Sequence, residues 1–473
     1  MHSGPIQFVQ RQTIRALGLA LAAAACATAA SAPAQQSQTA PTLQSAIQHV
    51  VVIYQENWSF DSLYGSFAGA NGLRNASATI PQIDKLTGAP IRQLPQPLIG
   101  NGMPDPDFPA GLPVQPYNAS SYILPTALTG DLVHRFYQEQ SQIDGGKMDK
   151  FVTWSDNPGL VFSNFDARLM PEGLLAKQYV LADNFFHSAF GGSLLNHHWL
   201  ICACTPTFPN APAGVVAKLD ATGQLALDPS GKIVQDGFVT PDGYVVNTAY
   251  TVNAPHPASV PAAKLLPDQT NPTIGDRLSA AGISWKWYSA GWDNALAGNP
   301  DPLFQFHHQP FAYYQNYADG TAAKAAHLQD ETNFLADLKA GKLPAVSFVK
   351  PLGTDNEHPG YASLAAGQQH VAALVAAVQA SSAWPSTAII ITYDENGGRW
   401  DHVPPPGPFD RWGPGTRVPT IVISPWAKRG FVDHTEYETV SILALIEKRW
   451  ALQPLGPRDA KANPLRNVFK FRF

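Results

Sequence analysis

The sequence predicts an α/β protein with a central, mostly parallel β-sheet flanked by helices. Two apolar runs, H-V-V-V-I-Y at residues 49–54 and A-I-I-I-T-Y at 388–393, have the β-branched composition of strands buried on both faces. Helical periodicity lies between the strand candidates, and that alternation marks a parallel sheet with crossover helices. Each run leads straight into an acidic cluster, and ligands of such sheets collect beyond the carboxyl ends of the strands.

The chain opens with a polar stretch carrying Arg11 and Arg15, an apolar run from Ala16 to Ala27, and the small residues Ala29, Ala30, Ser31, Ala32, Pro33 and Ala34. That order predicts a signal peptide over residues 1–34 and a periplasmic or secreted product of residues 35–473. The apolar run is short for a bilayer span, and no other stretch is long and apolar enough to make a stable one. Ala23 stands three before Cys26, where a lipoprotein site wants a bulky aliphatic side chain, so lipidation is not expected.

Further along, the first strand at 49–54 is followed by proline-dense surface loop over 78–125. A helix is expected at 131–142. Residues 206–267 carry the pairs Thr222-Gly223, Ser230-Gly231, Asp236-Gly237 and Asp242-Gly243 between short apolar runs, which predicts a hairpin-rich β insertion. Helices follow at 273–281, with Thr273 as N-cap, at 368–380 and at 436–450. Additional strands are expected at 284–288, 346–349 and 420–424.

The 31 Lys and Arg stand against 36 Asp and Glu. Loss of residues 1–34 removes Arg11 and Arg15 and no acid, leaving 29 against 36 and a formal charge of −7. An acidic chain disfavours a nucleic-acid partner. With 45% apolar residues it suits one large globular domain with insertions. Beyond Cys26 only Cys202 and Cys204 remain; a C-x-C pair is no disulfide framework, and two buried thiols are expected, with a small strained disulfide in an oxidising compartment as the alternative.

Three clusters carry chemistry. Glu56-Asn57-Trp58-Ser59-Phe60-Asp61 sets a carboxylate and an amide oxygen at a strand end, and hard cations prefer oxygen ligands. Tyr393-Asp394-Glu395-Asn396-Gly397-Gly398 adds two adjacent acids, which repel unless a cation or a proton lies between them. In Gly191-Gly192-Ser193-Leu194-Leu195-Asn196-His197, glycines allow a sharp turn into a helix, so the Ser193 hydroxyl stands at an anion-binding N-terminus. Leu195 replaces the second glycine of a G-x-S-x-G elbow, so activation of the serine by a bound metal is the alternative. His134, His187, His197, His307, His308, His358 and His402 are scattered among these clusters; as a set they offer positive charge to an oxyanion or a proton to a leaving group.

These blocks resemble bacterial phosphoesterases of the alkaline phosphatase superfamily, which include AcpA-type acid phosphatases and haemolytic and non-haemolytic phospholipases C. The first block is similar to the family's E-N-R-S-F-D, with Trp58 in place of the arginine. The second is similar to Y-D-E-x-G-G followed by D-H-V-P-P-P, here Asp401 to Pro406, with Arg417-Val418-Pro419 and Ser424-Pro425-Trp426 beyond. The resemblance implies an alkaline-phosphatase-like fold and a divalent metal ion, Ca²⁺, Mg²⁺, Mn²⁺ or Zn²⁺, held by Glu56, Asn57, Asp394, Glu395 and the Ser193 hydroxyl. It also implies that Ser193 is the nucleophile and that His134, His308 and His358 surround the phosphate. The Gly192-Ser193 context favours the acid-phosphatase branch over the G-P-T context of the phospholipases. Small phosphate esters are the expected substrates, phospholipid is the alternative, and a non-catalytic exported anion-binding protein is the rival from another class. A protonated histidine at the phosphate would make activity fall above the ordinary imidazole pKa of about 6.5.

Overall fold

The computed structural model describes residues 41–76, 80–407, 410–471 and 473; the expected signal peptide lies outside them. Eight strands build the central sheet: β1 (His49–Gln55), β2 (Val180–Ala182), β3 (Trp285–Ser289), β4 (Leu328–Gln329), β5 (Val346–Lys350), β6 (Thr387–Tyr393), β7 (Thr420–Ile423) and β8 (Phe431–Asp433). Their order is β8-β2-β7-β6-β1-β5-β3-β4. β1 lies parallel to β5 and β6, with Val52 opposite Phe348 and Ile390. β3 is parallel to β5 and β4, and β8 to β2. Only β7, antiparallel to β6 and β2, runs against the others. The sheet is thus mostly parallel, as expected. Val50, Val51, Val52, Ile53 and Tyr54 are all fully buried, which is why β1 reads as a continuous apolar run rather than an alternating one.

The main helices are α1 (Phe136–Ile143), α2 (Pro171–Gln178), α3 (Ser193–Cys202), α4 (Ile274–Ala280), α5 (Glu331–Lys339), α6 (Leu364–Ala380) and α7 (Val440–Trp450). They cover both faces. Tyr54 pairs with Thr392 and Gln55 with Tyr393, so Tyr54 and Tyr393 point to opposite sides of the sheet. The Tyr54 hydroxyl donates to Asn196 O of α3 at 3.3 Å, and the Tyr393 hydroxyl lies 3.1 Å from Glu172 Oε2 of α2. α7 and α4 pack beside α3, while α6 packs against α2 and α5.

Several sequence expectations change. The helix expected over 131–142 begins only at Phe136, because side chains hold the preceding backbone extended. Val133 N donates to Asp156 Oδ1 at 2.7 Å and Phe136 N to Asn247 Oδ1 at 3.1 Å. α7 begins at Val440 rather than 436, since Tyr437 and Glu438 pair with Phe185 and Phe186 as short parallel strands. α6 starts four residues early, with Ser363 Oγ accepting from Ala366 N. Thr273 does cap α4, accepting from Asp276 N at 3.2 Å.

The expectation of two buried thiols is overturned: Cys202 and Cys204 form a disulfide. α3 ends at Cys202, and Ala203 in the left-handed region (φ 49°) turns the chain back so that the two Cα atoms stand 5.1 Å apart, within bonding range. Residues 206–267 form tight turns closed by the single antiparallel bridges Leu219 to Leu225, Leu227 to Ile233 and Val239 to Val245. Asp220 and Asp228 pin two of the turns by accepting backbone N–H groups at 2.8 to 3.1 Å.

Candidate active site

The carboxyl ends of β1 and β6 bring the two acidic clusters together. Glu56, Asp394 and Glu395 each offer a carboxylate oxygen within 4.8 Å of the others, and all three side chains are buried. Asn57 turns the chain away from β1 in the left-handed region (φ 66°), which asparagine tolerates better than most residues. Its N–H donates to Asp394 Oδ1 at 3.2 Å, and Glu395 N donates to the same oxygen at 2.9 Å. The loops approach so closely that a Cβ on Gly397 would collide with Asn57 O. Asn57 Oδ1, Asp394 Oδ2 and Glu395 Oε2 are buried without hydrogen-bond partners, although each would cost about 1–3 kcal/mol if left so. Orphaned oxygens among three acids are the donor set of a hard divalent cation, and these residues fit one.

Ser193 enters from the other direction. Gly192 is the N-cap of α3 and Ser193 its first residue. The turn is built for close approach: Gly191 has φ 86°, and a Cβ there would strike Phe136 N. Gly191 N donates to Glu139 Oε2 at 2.6 Å, and Asn196 Nδ2 reaches back to Ala189 O at 3.0 Å and Gly191 O at 3.2 Å. Held in this way, Ser193 Oγ lies 3.2 Å from both Glu56 Oε2 and Glu395 Oε1.

Of the predicted histidines, His134 stands between the cradle and the cleft at Ser193, its Nε2 3.6 Å from Glu395 Oε1 and 3.5 Å from Asn57 Nδ2. His358 follows, with ring centroids 5.5 Å apart. The Nδ1 atoms of both rings lie 2.6 Å from backbone carbonyls, Leu132 O and Pro359 O. A carbonyl only accepts, so each Nδ1 carries the hydrogen and each Nε2 is left for a ligand or a further proton. His308 is differently placed. Its Nε2 lies 2.9 Å from Glu56 Oε1 and its ring stacks on His197 at 5.1 Å. Burial pushes His308 down to about 4, against the pull of Glu56, so it is neutral over most of the pH range.

The positive charge beside Glu56 comes instead from Lys350, at the end of β5, whose fully buried ammonium pairs with Glu56 Oε1. Sequence reasoning passed over this residue, which looked like an ordinary polar strand end. Burial raises Glu56, but His308 and Lys350 outweigh it and hold the carboxyl well below its usual range. Burial, and next to it the Glu56 charge, drives Asp394 up to about 7. Burial and the Asp394 charge hold Glu395 well above the carboxylate range. The cluster is short of positive charge, which is what a divalent cation supplies.

The outer ends of the same motifs do other work. Asp61, Asp401 and His402 also converge, but Arg417 already occupies the middle of that group: its Nη2 lies 3.1 Å from Asp61 Oδ1 and 2.9 Å from Asp401 Oδ1. Trp58, in place of the expected arginine, donates from Nε1 to Glu357 O at 3.0 Å, and the buried Arg399 guanidinium stacks 4.0 Å over its ring. A cleft of about 220 Å³ opens at Ser193, walled by Asp131, His134, Arg135, Asp156, Asn247 and Thr248. The last two residues come from the 206–267 segment.

A serine hydroxyl at a helix N-terminus, an oxygen-rich cradle and imidazoles beside one polar cleft make up equipment suited to a hydrolase of phosphate esters. The family model of the phosphoesterase family matches residues 47–453; the chain belongs to that family and is a phosphoric ester hydrolase. It is 24% identical to phospholipase C A of Mycobacterium tuberculosis over 467 residues, covering 90% of this chain and 77% of that protein. Over a shorter stretch of 173 residues, 29% of this chain and 32% of the other, it is 36% identical to non-specific phospholipase C1 of Arabidopsis thaliana. A solved protein of the alkaline phosphatase superfamily from Vibrio parahaemolyticus aligns at 10% identity and a TM-score of 0.35, covering 69% of this chain and 67% of that one.

Proposed function

We propose that this chain is an exported acid phosphatase that hydrolyses phosphomonoesters through a phosphoserine on Ser193. The observation that carries the reading is the placement of Ser193 Oγ, 3.2 Å from two carboxylates of the cradle and at the mouth of a small polar cleft. Glu56, Asn57, Asp394 and Glu395 would hold a divalent cation, Ca²⁺, Mg²⁺, Mn²⁺ or Zn²⁺, which supplies Lewis acidity and offsets phosphoryl charge. Ser193 attacks phosphorus, the ester oxygen leaves, and water then cleaves the phosphoserine. Free N–H groups at the start of α3 face the phosphoryl oxygens. His134 and His358, each held by a carbonyl at Nδ1, offer Nε2 to the phosphoryl group or leaving oxygen. The cleft volume and its polar walls fit a small phosphate ester.

Phospholipase C activity is a second reading, favoured by the names of the relatives and by Leu124 and Leu128. These side chains are 71% and 57% exposed on the segment that leads into Asp131 and His134. Comparison of p-nitrophenyl phosphate with phosphatidylcholine vesicles separates the two. Preference for the lipid sinks the phosphomonoesterase reading, and no hydrolysis of either after metal reconstitution leaves an anion-binding protein.

A further inference from the structure

On the face of the sheet turned away from Ser193, one carboxylate gathers several elements. Glu357 Oε1 accepts from Gln55 Nε2 at 3.1 Å, and Glu357 Oε2 from the Tyr393 hydroxyl at 2.8 Å. Gln368 Nε2 lies 3.5 and 3.4 Å from the same two oxygens. Glu172 adjoins the group through the same Tyr393 hydroxyl, which lies 3.1 Å from its Oε2. Gln55, Glu172, Glu357, Gln368 and Tyr393 are all buried. The backbone joins in, since Trp58 Nε1 donates to Glu357 O and Glu56 N donates to Asn356 O at 3.1 Å.

The arrangement is costly and specific. Glu357 occupies the left-handed region (φ 70°), which long side chains rarely adopt. It is seated on Gly367 of α6, where a Cβ would stand 3.0 Å from Glu357 N and run into Cγ. Burial, foremost, holds both carboxyls above their usual range, Glu357 at about 7. Strained backbone and paired buried acids persist where surroundings over-determine them. The sequence positions say what is determined: Gln55 directly precedes Glu56, Tyr393 directly precedes Asp394, and Glu357 directly precedes His358.

We propose that Glu357 is a positioning residue whose carboxylate clamps the ends of β1 and β6 to each other and to the His358 loop, setting the spacing of Glu56, Asp394 and Glu395. The inference rests on the reading of those three acids as a cation cradle. Supports of this kind, outside the ligands themselves, typically govern metal affinity about tenfold or more.

The test is calorimetric titration of the chelator-stripped full chain with Mn²⁺, alongside kcat and KM for p-nitrophenyl phosphate. Tyr393→Phe removes one clamp contact and should weaken Mn²⁺ about threefold or more, lowering kcat with KM little changed. Glu357→Gln, which turns an acceptor toward the amides of Gln55 and Gln368 into a donor, should weaken it about tenfold. Adding Gln368→Glu restores an acceptor and should recover part of the loss. Wild-type Mn²⁺ affinity in both Tyr393→Phe and Glu357→Gln overturns the clamp alone. Should Glu357→Gln fail to fold, unchanged affinity in Tyr393→Phe overturns it. Absence of Mn²⁺ binding by the wild-type chain overturns the cradle reading and the clamp with it.

Discussion

The Ser193 hydroxyl is aimed by Glu56: Oγ lies 3.2 Å from Oε2 of an acid 137 positions earlier in the chain. Glu395 Oε1 is equally near, yet a hydroxyl has one hydrogen and satisfies one of the two at a time. The oxygen is thus surrounded by acceptors and is readily relieved of its proton once positive charge enters the cradle. Ser193→Ala should leave the fold intact and lower turnover by about a thousandfold or more. Steady-state kinetics with p-nitrophenyl phosphate decide the matter, and retention of more than about a tenth of the activity removes Ser193 from the mechanism.

Asp394 has one oxygen committed and one free. Oδ1 accepts from the Asn57 and Glu395 amides, while Oδ2 is buried without a hydrogen-bond partner. In Asp394→Asn the amide oxygen can keep the backbone contacts, which puts the NH₂ group where a cation needs a carboxylate. Metal content and activity should fall together. Elemental analysis showing full occupancy in the variant would make the acid cluster structural.

Thr248 lines the cleft at Ser193 from the 206–267 segment and is exposed. Thr248→Leu should reorder a panel of phosphate esters, with changes of about fivefold or more in kcat/KM for the bulkier alcohols. Hydrolysis of the smallest ester should be little altered. Uniform loss across the panel would assign the segment to the catalytic machinery instead of to substrate selection.

Glu447 of α7 is buried with Oε1 unpartnered; burial first, and then Asp459, push its carboxyl up to about 9. The folded state therefore binds this proton more tightly than the unfolded state does. The associated stability is complete below the ordinary value of 4.5 and is lost as pH rises from there through about 9. Glu447→Gln should flatten that decline. Melting temperatures across this window, taken for both proteins, should diverge toward alkaline pH, and parallel curves would exclude the assignment.

The sheet was legible where strands are buried on both faces, because 49–54 and 388–393 leave an unbroken apolar signature. It was illegible at β2, β4 and β8, which are three, two and three residues long, too short for any period to show. The cradle was legible because Glu56-Asn57 and Asp394-Glu395 lie directly beyond those two strands. Lys350 was not, since a lysine ending a strand resembles any solvated terminus and only the β1 to β5 pairing puts it against Glu56. The disulfide was hidden for a related reason: its formation depends on the left-handed turn at Ala203, which the residue types alone do not dictate. Glu172 and Glu357 lie far apart in sequence, and singly each reads as a surface acid.

The buried Arg417 guanidinium bonds Asp61 and Asp401, one from each motif, and its Nη1 also donates to Asn71 O and Asp183 O. Pulling the two loops apart would strand a charge in the interior, so neither loop can act as a hinge. The frame around the cradle therefore does not depend on a bound ion, and a chelator would strip the proposed cation without dismantling its seat. Loading of the proposed cation would then be a matter of encounter through the mouth beside His134, dependent on ion concentration and indifferent to refolding.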